Sequence, residues 1–358
     1  MVNILEILTL KKMKKILFIS ILTAFITGVF TSCQNSDWEF PDFEYTAVYF
    51  AYQSPVRTIT LGEDIFDTTL DNKFQCQIMA TMGGVYSNDK NIEIGIEVDN
   101  SLCDDIQFDD EREIIPMPSN YYSLSSNKIV IEKGTVLGGV VVQLTEDFFN
   151  DPLALETNYV IPVVMTNVNN ADSILSGIPL VDNPRRAVSE DWDVQPKDYV
   201  LYAVKYINKY DANYLRRGKD VISVAQTDTI KTDTINRTTA DIEKNEVIST
   251  ISTRSLNTIA WNHVSKDMND FTRNSTLLLT FDNQDNCTVS SDSEGIIATG
   301  SGKFVSKGDK NSWGNKDRDA LYLEYTIDYG DIKFDITDTL VVRDRGVKAE
   351  WFNTALKN

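Results

Sequence analysis

Residues 91–98 read NIEIGIEV, with Ile92, Ile94, Ile96 and Val98 on one side of the chain and Glu93, Gly95 and Glu97 on the other. A period of two sends alternate side chains to opposite faces of a pleated strand, and a helix cannot gather these four residues on one face. The segment therefore belongs in a sheet with one face on a core and the other toward water, which is the habit of antiparallel sheets. Other runs of the same kind flank it. Tyr45, Ala47, Tyr49 and Ala51 alternate with Thr46, Val48 and Phe50, and Phe74 to Met82 ends in Gly83-Gly84. Lys128 to Glu132, Gly139 to Leu144 and Tyr159 to Met165 follow. Pro162 in the last of these argues for an edge position or a bulge, because proline has no N–H for the ladder. Between them, Thr145 to Leu155 opens on a capping residue and predicts one short helical turn. About seven short strands in roughly 140 residues predict an antiparallel sandwich of the immunoglobulin type.

Residues 177–198 hold three prolines and little periodicity, so the module boundary is placed there. A second β-rich series follows, from Tyr199 to Ile207 through Val247 to Ser255, Ser275 to Asp282, Ile296 to Val305, Ala320 to Asp328 and Lys333 to Arg343. Adjacent long strands, tight turns such as Asp328-Tyr329-Gly330-Asp331 and the lack of βαβ alternation predict an antiparallel barrel or sandwich. The whole chain reads as all-β, with a sandwich over 44–180, a linker over 181–198 and a barrel-like, ligand-binding module over 199–358.

The chain opens differently. Lys11, Lys12, Lys14 and Lys15 precede an uncharged apolar stretch, Ile16 to Phe30, which has the length of a signal h-region and is short for a membrane span. Phe30-Thr31-Ser32-Cys33 resembles a bacterial lipobox. Residues 1–32 are thus expected to be a lipoprotein signal peptide, Cys33 the lipidated residue, and 33–43 an acidic tether. With 34 basic and 53 acidic residues the chain has a formal net charge of −19. The leader carries four lysines and one glutamate, so its removal makes the remainder more acidic. Coulomb repulsion then excludes nucleic acid as a partner, and the membrane contact expected is through the lipid anchor alone. Beyond Cys33, the cysteines are Cys76, Cys103 and Cys287. They are read as small buried apolar residues, with a Cys76–Cys103 disulfide as the alternative.

Several segments together resemble a known family. They are Pro55 to Asn72, Gly83-Gly84-Val85-Tyr86, Val98 to Cys103, Pro118 to Ser125, Gln143 to Asp151 and Tyr159-Val160-Ile161-Pro162. These resemble the N-terminal domain of unknown function found in surface lipoproteins of Bacteroidota polysaccharide-utilisation loci, a domain also fused to endo-acting glycosidases. Tyr202 to Asn208, Tyr214 to Gly218 and Thr339 to Gly346 are similar to a partner domain of such lipoproteins, which implies a lipocalin-like second module. The resemblance further implies a protein lipid-anchored in the outer membrane and facing the cell surface. It implies glycan capture there beside an outer-membrane importer, and it brings no catalytic residues.

The residues themselves point away from catalysis. His263 is the one histidine, which leaves triads without their usual base and excludes a two-histidine metal site. Following Trp261-Asn262, it is expected on a surface loop. Gly300-Ser301-Gly302-Lys303 fails the phosphate-loop spacing and is read as a glycine bulge. Asp282 to Asn286 is oxygen-rich but lacks the EF-hand glycine and glutamate, so it is read as a turn rather than a calcium loop. Neither a metal nor a cofactor is expected. A sugar needs an aromatic face for its C–H side and polar groups for its hydroxyls. Trp313, in the polar loop Gly308 to Asp319 with Asn315, Asp317 and Arg318, is the leading candidate, and Trp261 with Asn262 is the second. Trp192 is expected between modules and Trp351 at the end of the barrel. The function expected is non-catalytic oligosaccharide or polysaccharide binding for a glycan-uptake system. The alternatives are an adhesin-like structural protein and, last, a glycoside hydrolase, for which no carboxylate pair stands out.

Overall fold

The computed structural model describes residues 43–225, 229–237 and 248–357. The expected signal peptide, Cys33 and the tether up to residue 42 lie outside the described residues. The first half is a sandwich. One sheet has five strands in the order Ser173–Ile174, Ala47–Tyr49, Gln75–Gly83, Leu137–Leu144 and Tyr122–Leu124. The facing sheet has seven: Glu350–Trp351, Pro55–Thr60, Tyr199–Ile207, Tyr159–Asn169, Ile92–Val98 and Lys128–Ile131 in sequence, with Ile115–Pro116 beside Tyr159. Ile92, Ile94 and Ile96 are buried among Ile78, Val140 and Val142 of the other sheet, as the alternation requires. Each such burial contributes about 1.5–3 kcal/mol. Val98, at the end of the run, is exposed instead. The expected helical turn is present as Glu146–Asn150 followed by a 3₁₀ turn, Pro152–Leu155.

Tyr199–Ile207, expected to open the second module, instead pairs antiparallel with Tyr159–Asn169 and parallel with Pro55–Thr60. Its apolar run is continuous because both of its faces are covered. Val200, Tyr202 and Val204 belong to the core between the sheets, whereas Tyr199, Leu201 and Ala203 pack with Leu102, Phe108 and Val164 on the outer face. The boundary over 181–198 therefore falls between two strands of one sheet. The chain also returns from the barrel, since Glu350–Trp351 pairs with Pro55–Thr60 and Thr354–Leu356 with Ile106–Phe108. Pro162 sits in a central strand, not at an edge. Its carbonyl accepts the Asp99 N–H at 3.0 Å, so its ring nitrogen faces the end of the Ile92–Val98 strand and no ladder bond to Leu201 is lost. Cys76, Cys103 and Cys287 are all buried and unbridged.

The second half is an antiparallel barrel. Ala212–Ala225, Ile248–Ser255, Thr258–Lys266, Thr272–Phe281, Asn286–Ser291, Ile297–Ser312, Lys316–Asp328 and Lys333–Asp344 follow one another around it. Pairing of the first strand with the last closes the ring, from Asn213↔Asp344 to Ser223↔Lys333. Ile230–Arg237 lies against the far half of the first strand. Gly300 and Gly302 sit in unbroken register, opposite Tyr325 and Leu323, so the expected glycine bulge is absent. They are needed for close approach: a Cβ on Gly300 would lie 2.4 Å from the Glu324 carbonyl oxygen and 2.4 Å from Tyr325 Cβ. Gly300→Ala should therefore destabilise the barrel by about 1–3 kcal/mol, read as a lowered denaturation midpoint, because backbone cannot move aside as a flexible side chain can. An unchanged midpoint would refute the close-approach reading.

Candidate functional site

The hairpin between the sixth and seventh barrel strands carries four of the expected site residues. Its register is regular from Ile297↔Asp328 to Val305↔Ala320, then shifts to reach Asp309↔Arg318 and Ser312↔Lys316. Left-handed backbone at Lys307, Asn311, Gly314 and Asn315 turns the tip, which suits the small or amide side chains at three of the four. Aspartates hold this irregular backbone. Asp317 accepts the Asn311 N–H at 3.0 Å and the Lys310 ammonium at 2.9 Å, and Asp319 accepts the Lys307 N–H at 2.7 Å. Asp309 pairs with Arg217 of the first barrel strand at 2.9 Å. Trp313 is half-buried, and the Arg318 guanidinium carbon lies 3.4 Å from its ring centroid. The indole thus serves as the floor on which Arg318 rests, rather than as an empty platform. Asn315 is exposed at the tip.

Arg318 lines an open cavity of about 180 Å³ at this end of the barrel, together with Asp64, Lys209, Lys307, Arg343 and Arg345. Arg345 ties the last barrel strand to the sandwich. It donates from Nη1 to the Leu61 carbonyl at 2.6 Å, from Nε to the Asp211 carbonyl at 3.0 Å, and from Nη2 to the Asn208 carbonyl. Burial lowers the pKa of both Arg345 and Arg318 from the ordinary guanidinium value. Two polar atoms at the cavity are buried without a partner: Nε of Arg318 and Oδ2 of Asp64. The Trp313 Nε1 atom of the hairpin and the Nε atom of Arg217 on the first barrel strand are also unpartnered. Buried orphans of this kind are rare in folded proteins; among the described residues four lie at this hairpin and the cavity beside it, and four more, on Asp220, Arg237, His263 and Ser265, lie in the barrel. Asp64 and Arg345 were not legible as site residues. Asp64 lies in a loop of the sandwich, and Arg345 was visible only as part of the Thr339 to Gly346 resemblance.

A family model described as a domain of unknown function, DUF5627, matches residues 209–346, and a model of an N-terminal domain matches residues 43–172. A crystal structure of a Bacteroides ovatus protein of unknown function is 44% identical, with a TM-score of 0.82, covering 88% of this chain and 100% of that one. The chain belongs to that protein's family. An auxiliary nutrient binding protein from Bacteroides thetaiotaomicron is matched at 14% identity and a TM-score of 0.37, over 83% of this chain and 95% of that one; so distant a likeness carries no argument. No curated protein matches the chain.

Inside the barrel lie the remaining candidates, away from the cavity. Trp261 is 1% exposed and packs in the barrel core, so it is not a ligand platform. Ile259, Trp261, His263 and Ser265 alternate inward along one strand, which sends Asn262 to the outer surface. There Asn262 accepts a hydrogen bond from Thr276 Oγ1 at 3.3 Å. His263, expected on a loop surface, is fully buried. Its Nε2 accepts from Arg216 Nη2 at 2.8 Å, which assigns the proton of the neutral ring to Nδ1. Burial, and then Arg216 and Arg237, hold its pKa well below the ordinary imidazole value. Arg216 also pairs with Asp338 at 2.9 Å and donates to the Val264 carbonyl at 2.9 Å. Arg237 bridges Asp220 and Asp338, each at 2.5 Å, and the Tyr325 hydroxyl donates to Asp338 at 2.7 Å. Two guanidinium groups and two carboxylates thus balance inside the barrel.

Trp351 also departs from expectation. Trp351 does not cap the barrel. It sits on the edge strand of the sandwich, 55% exposed, with its ring centroid 5.5 Å from that of Tyr52, itself 59% exposed. Trp192 lies on a two-stranded ribbon, where its Nε1 donates to the Arg185 carbonyl at 2.8 Å.

Proposed function

We propose that the protein is a lipid-anchored lipoprotein of the outer-membrane surface that binds oligosaccharide without cleaving it, for a glycan importer. The binding site is the cavity between Asp64, Arg318 and Arg345. The observation that carries this reading is one open cavity lined by side chains of opposite hydrogen-bond sense, the donor Arg318 and the acceptor Asp64. A sugar hydroxyl both donates and accepts, so a single class of ligand can satisfy the two together. The exposed Tyr52–Trp351 ring pair offers a second surface of the kind that packs on pyranose C–H groups. The Ile16 to Phe30 stretch ending in the lipobox-like Thr31-Ser32-Cys33 supports the anchored location.

The test is retardation of the full-length chain on native gels containing plant and host polysaccharides, together with a glycan array. Retention of a glycan class supports capture; silence across the panel refutes it. Release of new reducing ends from a retained glycan would overturn the non-catalytic part. Trp313→Ala should weaken retention, because Arg318 loses its floor, while costing only about 1 kcal/mol of stability, the scale of one cation–π contact. A large fall in melting temperature would instead place Trp313 in the core.

A second reading, contact with another protein, is favoured by the apolar ribbon in which Ile178, Leu180, Val181 and Val194 are 54%, 64%, 45% and 48% exposed. Contiguous apolar surface of this kind often marks an interface. Silence in the glycan tests would leave this reading the stronger.

A further inference from the structure

Resting on the reading of the cavity as a sugar site, we infer that its ligand is an acidic glycan, one whose sugar carries a carboxylate beside free hydroxyls. The cations around the cavity divide into two groups. Lys209 is paired with Asp285 at 2.5 Å, Arg343 with Asp344 at 2.6 Å, and Lys307 with Glu63 at 3.5 Å. Arg318 and Arg345, by contrast, have no carboxylate within ion-pair distance among the described residues. In a chain with 53 acidic and 34 basic residues, carboxylates are in excess, so two guanidinium groups without an ion pair in one cavity stand out, although Asp211, Asp64 and Asp319 act on Arg345 from farther off.

The two arginines differ in what they have left to give. Arg345 spends its donors on the Leu61, Asp211 and Asn208 carbonyls, so it contributes charge rather than a free contact. Among the described residues Arg318 makes one long bond, 3.5 Å from Nη1 to the Arg343 carbonyl, and its Nε is buried without a partner. Stacked on Trp313, it keeps Nη2 without a hydrogen bond among the described residues, and a guanidinium so placed can donate to a carboxylate.

The carboxylates at the cavity explain why a bare anion does not suffice. Asp317 and Asp319 are occupied by the hairpin backbone and Lys310. Asp64 accepts the Ile65 N–H through Oδ1 at 2.6 Å and keeps Oδ2 without a donor. A sulfate ion, which has no hydroxyl to donate, would answer Arg318 but bring only repulsion to Asp64. A sugar carboxylate with a neighbouring hydroxyl answers both, since the carboxylate accepts from Arg318 and the hydroxyl donates to Asp64.

The experiment compares oligogalacturonate and hyaluronan oligosaccharides with the same chains after reduction of every carboxylate to a primary alcohol, using calorimetry on the full-length protein. Linkage and ring hydroxyls are unchanged, so the two forms differ only in a carboxylate replaced by a neutral hydroxymethyl group. We expect one of the acidic probes to bind and its reduced form to bind about tenfold or more weakly, the loss of a charge-assisted hydrogen bond. Arg318→Gln should lose the same factor toward the acidic probe with the melting temperature held, and Arg318→Lys should restore part of it. Equal binding of the reduced and acidic forms, or binding of neutral glycans alone, overturns the acidic assignment and leaves the sugar-site reading standing. Absence of binding by acidic and neutral glycans alike overturns both. The reduced-probe comparison uses the unaltered protein, so a misfolded variant does not blunt it.

Discussion

Asp338→Asn is expected to destabilise the barrel by about 3–5 kcal/mol, the cost of breaking a buried ion pair from one side. Asp338 is 1% exposed and is shared by Arg216, Arg237 and the Tyr325 hydroxyl. Removing its charge leaves two guanidinium groups with Asp220 alone, at 2.5 Å from Arg237 and 3.8 Å from Arg216. The remaining positive charge is buried, and its desolvation is no longer offset. Chemical denaturation of the wild type and variant measures the loss directly. Adding Arg237→Gln to Asp338→Asn should recover part of it, since neighbours in one network are not additive. A single-variant loss below about 1 kcal/mol would show that the network is solvated and contributes little.

The second large effect is at Trp261. Trp261→Ala removes the largest fully buried side chain of the barrel, which packs edge-on against His263 at 4.7 Å with the Arg216 guanidinium 5.1 Å from its ring. The expected cost is about 3–5 kcal/mol, from lost transfer energy and the cavity left behind. The measurement is the denaturation midpoint beside that of Trp313→Ala. If the two variants lost the same stability, the division between a core indole and a site indole would fail.

These two positions also show where sequence reading succeeds and where it stops. Ile92, Ile94 and Ile96 announce their burial because apolar side chains repeat at the strand period and the partner face is apolar too. The same period runs through Ile259, Trp261, His263 and Ser265, yet its inward face turns polar halfway along. Phe334, Ile336, Asp338 and Leu340 do likewise on the strand that closes the ring, all four buried. A histidine or aspartate on such a face reads as outward, and only its partners show otherwise. Those partners lie 47 residues away for Arg216 and His263, and 122 for Arg216 and Asp338. The hairpin of Trp313 and Arg318 was legible because its polar, glycine-bearing loop had no use for an indole in a core. Its complement at Asp64 was not, since nothing local in the loop before Ile65 marks it.

From the sequence alone came the all-β character, the places of most strands, the helical turn after Thr145 and the polar hairpin at the barrel's end. Period and turn residues are properties of a few neighbouring residues, so they survive without knowledge of the fold, whereas the Thr145 hydroxyl donates to the Asn120 carbonyl and does not cap the turn. Only the tertiary structure decided that Tyr199–Ile207 joins the sandwich and that the chain leaves the barrel to pair with Pro55–Thr60. Only it brought Arg345 to the Leu61 carbonyl, 284 residues earlier, and so made the cavity. Strand partners are chosen by whichever closure buries both faces and pairs the edges, and that choice is written in distant segments together rather than in any one of them.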